Sequence, residues 1–146
     1  MIFEKIRKED HDEFIAMENE FYHSSAVLHS IPEENFERTF GLLMASSPFA
    51  DCIVFRDGDT VCGYALIALT YSNEAGGMVV WLEEIYVKPQ YRGKGIGGAF
   101  FEYIDNEYKD VARTRLEICP ENTKAAELYK RKGFSELGYL QMFKDN

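Results

Sequence analysis

The sequence has 146 residues, of which 46% are hydrophobic and 28% are charged, and its 25 acidic and 16 basic side chains give a formal net charge of −9. A chain of this length buries roughly 68–70% of the surface that its unfolded form exposes, so we expect one domain (residues 1–146) with its own core. The acidic balance argues against a nucleic-acid partner, and no stretch approaches the ~18 apolar residues of a membrane span.

The distribution of charge and the spacing of the cysteines further narrow the class of protein. Residues 1–60 hold 13 acids and 5 bases (net −8), whereas residues 61–146 hold 12 acids and 11 bases (net −1). The three cysteines, Cys52, Cys62 and Cys119, form no CxxC pair and favour reduced core thiols over disulfides or a zinc site. Because the N-terminus contains no apolar leader segment, we expect a cytoplasmic protein.

The first half of the chain changes from helical to strand periodicity. Residues 2–7 alternate in part and predict a strand, and a helix over about 12–22 follows, which Asp10 or Asp12 can cap. A second helix is expected after Pro32, because Pro-Glu-Glu suits a first helical turn. From residue 52, CIVF-RDGD-TVCGYALIAL predicts a β-hairpin.

The second half continues this mixture. Residues 78–87 are strongly β-prone, and a glycine cluster then leads into an amphipathic helix over about 95–108. A strand over 113–119 precedes a helix that Asn122 or Thr123 can cap and that runs through Lys132, where Gly133 is placed to end it. GYLQMFK alternates as a terminal strand. The order β-α-α-β-β-β-α-β-α-β predicts a mixed α+β fold with helices packed on one sheet.

The glycine cluster carries the clearest chemical signal. Residues 90–98 read QYRGKGIGG and contain four of the 11 glycines. Glycines let backbone N–H groups approach a ligand closely, and the N-terminus of the following helix adds a positive dipole. Lys88, Arg92 and Lys94 add positive charge, and residues 85–101 contain no acid. This pattern predicts a phosphate cradle, although the GKS or GKT of a Walker loop is absent.

Two motifs resemble a known family. Gln90-x-x-Gly93-x-Gly95 is similar to the acyl-CoA-binding signature of the GCN5-related N-acetyltransferases (GNAT), and residues 121–134, ENTKAAELYKRKGF, resemble the closing motif of that family. The resemblance covers residues 78–134 closely and the remainder through element order. It implies a central, mostly antiparallel sheet that splays between its fourth and fifth strands, flanked by about four helices.

The resemblance implies acetyl-CoA as a cosubstrate and no metal. In the family, the backbone of the fourth strand binds the pantetheine arm and the loop amides bind the pyrophosphate. An N–H near Ile85 would also polarise the thioester carbonyl. The cofactor-binding residues implied in this way are Ile85, Tyr86, Val87, Arg92, Gly93, Lys94, Gly95, Ile96, Gly97 and Asn122.

Catalysis requires a base, because an amine like that of lysine has a pKa near 10.4 and only about one molecule in ~10³ is neutral at pH 7. WLEEIYV resembles the corresponding segment of spermidine/spermine-type acetyltransferases. It implies Glu83 as the base and Glu84 as an ammonium contact, unless either carboxylate pairs with Lys or Arg at a sheet edge. At most one of them faces the thioester unless a bulge intervenes. Tyr129 matches the general acid of the family, the alternative being a tyrosine that only packs its ring.

The acceptor side is less defined by the sequence. Tyr22 and His23, between the first two helices, are candidates for the acceptor wall. His11 and His29 lack partners at metal spacing or a nucleophile motif and are expected at the surface or lining a pocket. Cys119 lies near the active-site end of its strand, but without a partnered base we expect a core thiol.

We therefore expect an N-acetyltransferase that moves an acetyl group from acetyl-CoA directly to a primary amine of a small cationic acceptor, polyamine-like or related, in a ternary complex. The alternatives are a protein or peptide N-acetyltransferase and a non-catalytic acyl-CoA-binding regulatory module. The sequence leaves open whether the protein forms a homodimer. The acidity of residues 1–60 either lines the acceptor groove, which favours a cationic amine, or is solvated helix surface.

Overall fold

The computed structural model describes all 146 residues as a five-stranded sheet with four α-helices. No helix is both long and apolar enough to cross a membrane. In chain order the elements are β1 (Ile2–Lys5), α1 (His11–Tyr22), α2 (Glu33–Met44), β2 (Ala50–Asp57), β3 (Thr60–Ser72), β4 (Gly77–Val87), α3 (Ile96–Glu107), β5 (Arg113–Leu116) and α4 (Thr123–Arg131).

The strands lie in the spatial order β1-β2-β3-β4-β5, with three antiparallel pairings and a parallel one between β4 and β5. Gly58, with φ of 58°, turns the predicted β2–β3 hairpin, and Gly133, with φ of 91°, follows the end of α4 as predicted. The α+β fold with a mostly antiparallel sheet and four helices is confirmed.

Helices cover both faces of the sheet. The apolar stripe of α1, including Phe14 and Met17, packs with α2 on one face, and Phe100 and Ile104 of α3 pack on the other. Strand alternation supplies both cores, since Val54 of β2 joins the first cluster while its neighbours join the second. Burying each large apolar side chain contributes roughly 1.5–3 kcal/mol.

Asp10 stands at the N-cap position of α1, as one of the two predicted caps, but its side chain makes no capping hydrogen bond. Its carboxylate instead accepts two hydrogen bonds from Arg56, at 2.6 and 2.7 Å, and one from the Arg7 N–H. The charge therefore ties α1 to β2 rather than satisfying the helix terminus.

β4 and β5 separate before β4 reaches the predicted cofactor loop. They pair only between residues 79–82 and 113–116, after which β4 continues to Val87 while β5 ends, three residues earlier than expected. The free edge of β4 and the chain after β5 form the predicted splay, called here the β4–β5 notch.

The prediction of a terminal strand from GYLQMFK is wrong. The chain after Gly133 forms no strand, and Leu140 and Met142 are both 95% exposed. Alternation marks a segment that can pair, but a strand forms only where a neighbouring edge accepts its hydrogen bonds.

Candidate active site

The loop between β4 and α3 depends on two glycines for its shape. Gly93 and Gly95 have φ angles of 73° and 79°, which residues other than glycine rarely adopt. Gly95 is also the N-cap residue of α3. Nothing would touch a Cβ at either position, so the requirement is conformational. At Gly97 it is steric, because a Cβ there would lie 3.0 Å from Leu128 of α4.

The N–H groups of residues 93–98 donate to no acceptor in the protein. The prediction began this run at Arg92, but the Arg92 N–H closes a turn onto the Pro89 carbonyl at 3.2 Å. Six unpartnered amides at the N-terminus of a 12-residue helix are a ready anion site.

The basic side chains around this loop differ in how they are engaged. Lys88 forms an ion pair with Glu13 at 2.8 Å, so its charge is partly neutralised. Arg92 and Lys94 are exposed and have no carboxylate partner. Arg92 donates from Nε to the Val87 carbonyl at 2.8 Å, and its guanidinium lies 5.6 Å from the centre of the Tyr86 ring.

Along β4, the direction of the peptide groups decides which backbone atoms are free. The Lys88 N–H, just after β4, donates to the Cys62 carbonyl of β3 at 2.8 Å. Peptide groups alternate in direction along a strand. Tyr86 therefore points its N–H and C=O at β3, contrary to its predicted cofactor role. Ile85 and Val87 point theirs into the notch, where the Ile85 N–H and C=O and the Val87 N–H have no strand partner.

A cavity of about 350 Å³ fills the notch. It brings together side chains from α1, β4, the chain after β5 and α4. Of the residues singled out from the sequence, it is lined by Tyr22, His29, Glu83, Ile85, Cys119, Asn122 and Tyr129. His23 is exposed and does not line it, because its Nδ1 donates to the Asn19 carbonyl at 2.7 Å.

Glu83 enters the cavity because it is the extra residue of a β-bulge. Leu66 of β3 lies opposite Glu84 and Ile67 lies opposite Leu82, which leaves Glu83 without a counterpart. Although Glu83 is reached by solvent, it sits in a concave site. Loss of hydration there raises its pKa, and the nearby Glu117 and Glu84 carboxylates raise it further.

Tyr129 both packs and faces the cavity. Its ring meets Phe101 edge-on at 5.6 Å and lies 6.0 Å from Phe134, while its hydroxyl has no hydrogen-bond partner in the protein. Burial raises the pKa of this hydroxyl, so it holds its proton at neutral pH.

Two other residues of the cavity differ from expectation. Cys119 is not a core thiol: it is only partly buried, and its Sγ donates to the Ala26 carbonyl at 3.2 Å. Cys52 and Cys62 are buried as predicted. Asn122 is the N-cap residue of α4, but its side chain makes no capping hydrogen bond and lines the cavity instead.

Glu84 points away from the cavity, into the sheet face covered by α1 and α2. It is 7% exposed and accepts hydrogen bonds from Tyr22 at 2.6 Å and Tyr64 at 2.8 Å. Neither Glu83 nor Glu84 pairs with Lys or Arg, so the sheet-edge ion pair does not form.

Glu18 is a buried acid that was not among the predicted site residues. It is 1% exposed, and its Oε2 has no hydrogen-bond partner. Burial, together with the negative charge of Glu84, raises the pKa of Glu18 to about 9. The available signal was its position beside Phe14 and Met17, on the apolar stripe of α1.

The acidic first half of the chain does not line the notch. None of its 13 acids contributes to the cavity, whose carboxylates are Glu83 and Glu117. Several are engaged at the surface instead, for example Glu37 with His11 at 2.8 Å and Glu20 with the Tyr86 hydroxyl. At this cavity, the acidic residues of the first half therefore behave as helix surface and do not form an acidic acceptor groove.

Known proteins share this sequence pattern. A family model described as an acetyltransferase (GNAT) domain matches residues 48–136. The thialysine N-epsilon-acetyltransferase of Bos taurus is 35% identical over 101 residues, which cover 62% of this chain and 59% of that protein. The spermine/spermidine N(1)-acetyltransferase of Bacillus subtilis strain 168 is 32% identical over 93 residues, 60% of each chain. The chain thus spans about three-fifths of these curated relatives.

The fold also matches solved structures. A predicted acetyltransferase from Clostridium acetobutylicum, determined with acetyl-CoA, superposes with a TM-score of 0.78 at 16% identity, over 98% of this chain and 95% of that one. Because the family model covers more than half of the chain, this protein belongs to the GNAT acetyltransferase family. The resemblance seen in the two sequence motifs is confirmed.

Proposed function

We propose that this protein transfers an acetyl group from acetyl-CoA directly to a primary amine of a small cationic acceptor, in a ternary complex. The observation that carries the proposal is that Glu83 and Tyr129 line one cavity beside the free edge of β4. A proton acceptor and a proton donor would then flank the reacting atoms.

The loop and the strand edge support acetyl-CoA as the cosubstrate. The unpartnered amides of residues 93–98, with the exposed Arg92 and Lys94, suit a pyrophosphate. The free N–H and C=O of Ile85 and the free N–H of Val87 suit an arm that contains amides of its own. Bound acetyl-CoA would supply a thioester carbonyl for the amine to attack.

Glu83 would remove the proton from the acceptor ammonium. Its raised pKa strengthens it as a base, since proton transfer is most efficient when the catalytic pKa approaches the working pH. The Ile85 N–H would donate to the oxygen of the thioester carbonyl, where negative charge develops in the transition state.

Tyr129 would return a proton to the departing thiolate. With ordinary pKa values near 10 for tyrosine and 8.5 for a thiol, this transfer is uphill by roughly 2 kcal/mol, a small part of an enzymatic barrier. Cys119 is disfavoured as an acyl carrier, because its thiol donates to a backbone carbonyl and forms no hydrogen bond with a histidine or a carboxylate. This supports transfer directly to the amine over a route through an acyl-enzyme.

The relatives support a small amine as the acceptor, because their names assign them thialysine and spermine or spermidine. Within the notch, Glu83 and Glu117 are the side chains that would favour a cation.

The test is a thiol-release assay with acetyl-CoA over polyamines, lysine-type amino acids, aminoglycosides and peptides, with the products identified by mass. We expect acetylation of small amines. Acetyl-CoA binding by calorimetry without thiol release from any acceptor would instead identify a non-catalytic module. Turnover confined to peptides would replace the small amine with a protein acceptor.

A further inference from the structure

A second cavity, of about 270 Å³, adjoins the notch on the side of α1 and α2. Tyr22 and Ile31 line both cavities and form the partition between them. α1 and β4 contribute Glu18 and Glu84 to the second cavity, and α2 contributes Arg38.

The floor of this second cavity carries a buried polar atom without a hydrogen-bond partner. The Glu84 oxygens accept from two tyrosine hydroxyls, but Oε2 of Glu18 has no partner although the residue is 1% exposed. Leaving a buried polar atom unpaired is destabilising, so such an atom calls for a ligand or a function. An ammonium group, with three donors and a positive charge, would bind the ionised form of Glu18, and the proton that the ligand-free protein keeps on this carboxyl would pass to solvent as the ligand enters.

The rim of the second cavity has the opposite charge. Arg38 is exposed on α2 and forms no ion pair, and a guanidinium binds a carboxylate through two parallel hydrogen bonds. A polyamine would gain nothing from Arg38, because like charges repel. A group that carries an ammonium and a carboxylate side by side would match both the floor and the rim.

We propose that the second cavity binds the zwitterionic head group of an α-amino acid whose side chain ends in the amine to be acetylated. The α-ammonium lies at Glu18 and Glu84, and the α-carboxylate lies at Arg38. The side chain passes Tyr22 and delivers its terminal amine to Glu83. This inference rests on the proposed acetyl transfer and selects lysine and its analogues over polyamines.

The kinetic test removes one charge at a time from enzyme and substrate. For the wild type, kcat/KM should be roughly 10- to 100-fold higher for lysine than for 1,5-diaminopentane, which lacks the carboxylate. Arg38→Gln should remove this preference by lowering only the lysine value, and Arg38→Lys should restore part of it. Glu18→Gln should lower the value for lysine but not for 6-aminohexanoate, which lacks the α-amine.

Arg131→Gln is the matched control, since Arg131 is also an exposed helical arginine without an ion pair and lies outside both cavities. It should leave the lysine preference unchanged. Equal wild-type values for lysine and 1,5-diaminopentane, or equal losses on both substrates in Arg38→Gln, would overturn the head-group site while leaving acetyl transfer intact.

A binding experiment separates the site from catalysis. Norleucine has the head group but no terminal amine, so calorimetry should detect its binding to the wild type and at least tenfold weaker binding to Arg38→Gln and Glu18→Gln. Norleucine binding without turnover of any amine would refute the proposed function and retain the site. Undetectable norleucine binding to an enzyme that acetylates amines would refute the site alone.

Discussion

Glu18→Gln should stabilise the protein increasingly as pH rises. The Glu18 carboxyl is buried without a partner for Oε2, and its pKa is raised from 4.5 to about 9. Between these two values the folded protein keeps a proton that the unfolded chain releases, so folding stability falls as pH rises. Glutamine has the same shape, carries no proton to lose and removes this dependence.

The magnitude follows from the shift. Each pH unit between 4.5 and 9 lowers the free energy of unfolding by about 1.4 kcal/mol relative to the glutamine variant. The penalty reaches about 3 kcal/mol at pH 7, and the difference between the two proteins should grow by about 4 kcal/mol from pH 5 to pH 8. A constant offset from altered hydrogen bonding does not affect this trend.

Urea unfolding followed by the fluorescence of Trp81, the single tryptophan, measures the effect at pH 5, 6.5 and 8. Glu127→Gln is the control, because Glu127 is an exposed residue of α4 without an ion pair. That substitution should give a pH-independent difference. Parallel stability curves for the wild type and Glu18→Gln would show that Glu18 is ionised in the folded protein and would refute the reasoning.

Three further substitutions test the catalytic site and the loop. Tyr129→Phe should lower kcat by roughly 10²-fold or more with acetyl-CoA affinity unchanged in calorimetry, and unchanged turnover would remove Tyr129 from the mechanism. Glu83→Gln should lower kcat/KM by a similar factor and shift activity to higher pH, where more amine is neutral; an unaltered pH profile and rate would point to another base. Gly95→Ala should destabilise the protein by about 1–2 kcal/mol in urea because of its positive φ and weaken acetyl-CoA binding, whereas Gly41→Ala, in the open middle of α2, should stabilise it by about 0.5–1 kcal/mol; equal effects would contradict this view of the loop.

The cofactor loop could be predicted from sequence because its requirements are local. The spacing of Gly93 and Gly95 between a β-prone run and a helical pattern defines both the turn and the helix terminus. The terminal strand could not be predicted, because alternation within GYLQMFK does not reveal whether a strand edge is available. The sequence places Glu18 on an apolar stripe, but only the packed structure shows that its Oε2 has no hydrogen-bond partner.

The separation of Glu83 from Glu84 depends on pairing between strands, which sequence periodicity does not contain. Val80 and Leu82 face α3, and in a regular strand Glu84 and Tyr86 would follow them onto that face. Tyr86 instead belongs to the core under α1 and α2, and Glu84 meets Tyr22 there. The register shift opposite Leu66 and Ile67 makes this change of face.

That single inserted residue gives two adjacent glutamates different environments. Glu83 lines the solvent-reached notch together with Tyr129, and loss of hydration raises its pKa, while Glu84 is buried against two tyrosines and Glu18. Consecutive Cα atoms are 3.8 Å apart, so the two cavities begin at neighbouring points on one rigid strand. Under the proposed function, an acceptor that spans both cavities would meet Glu83 at one end and Glu84 at the other, and the bulge is what places these two carboxylates in different cavities.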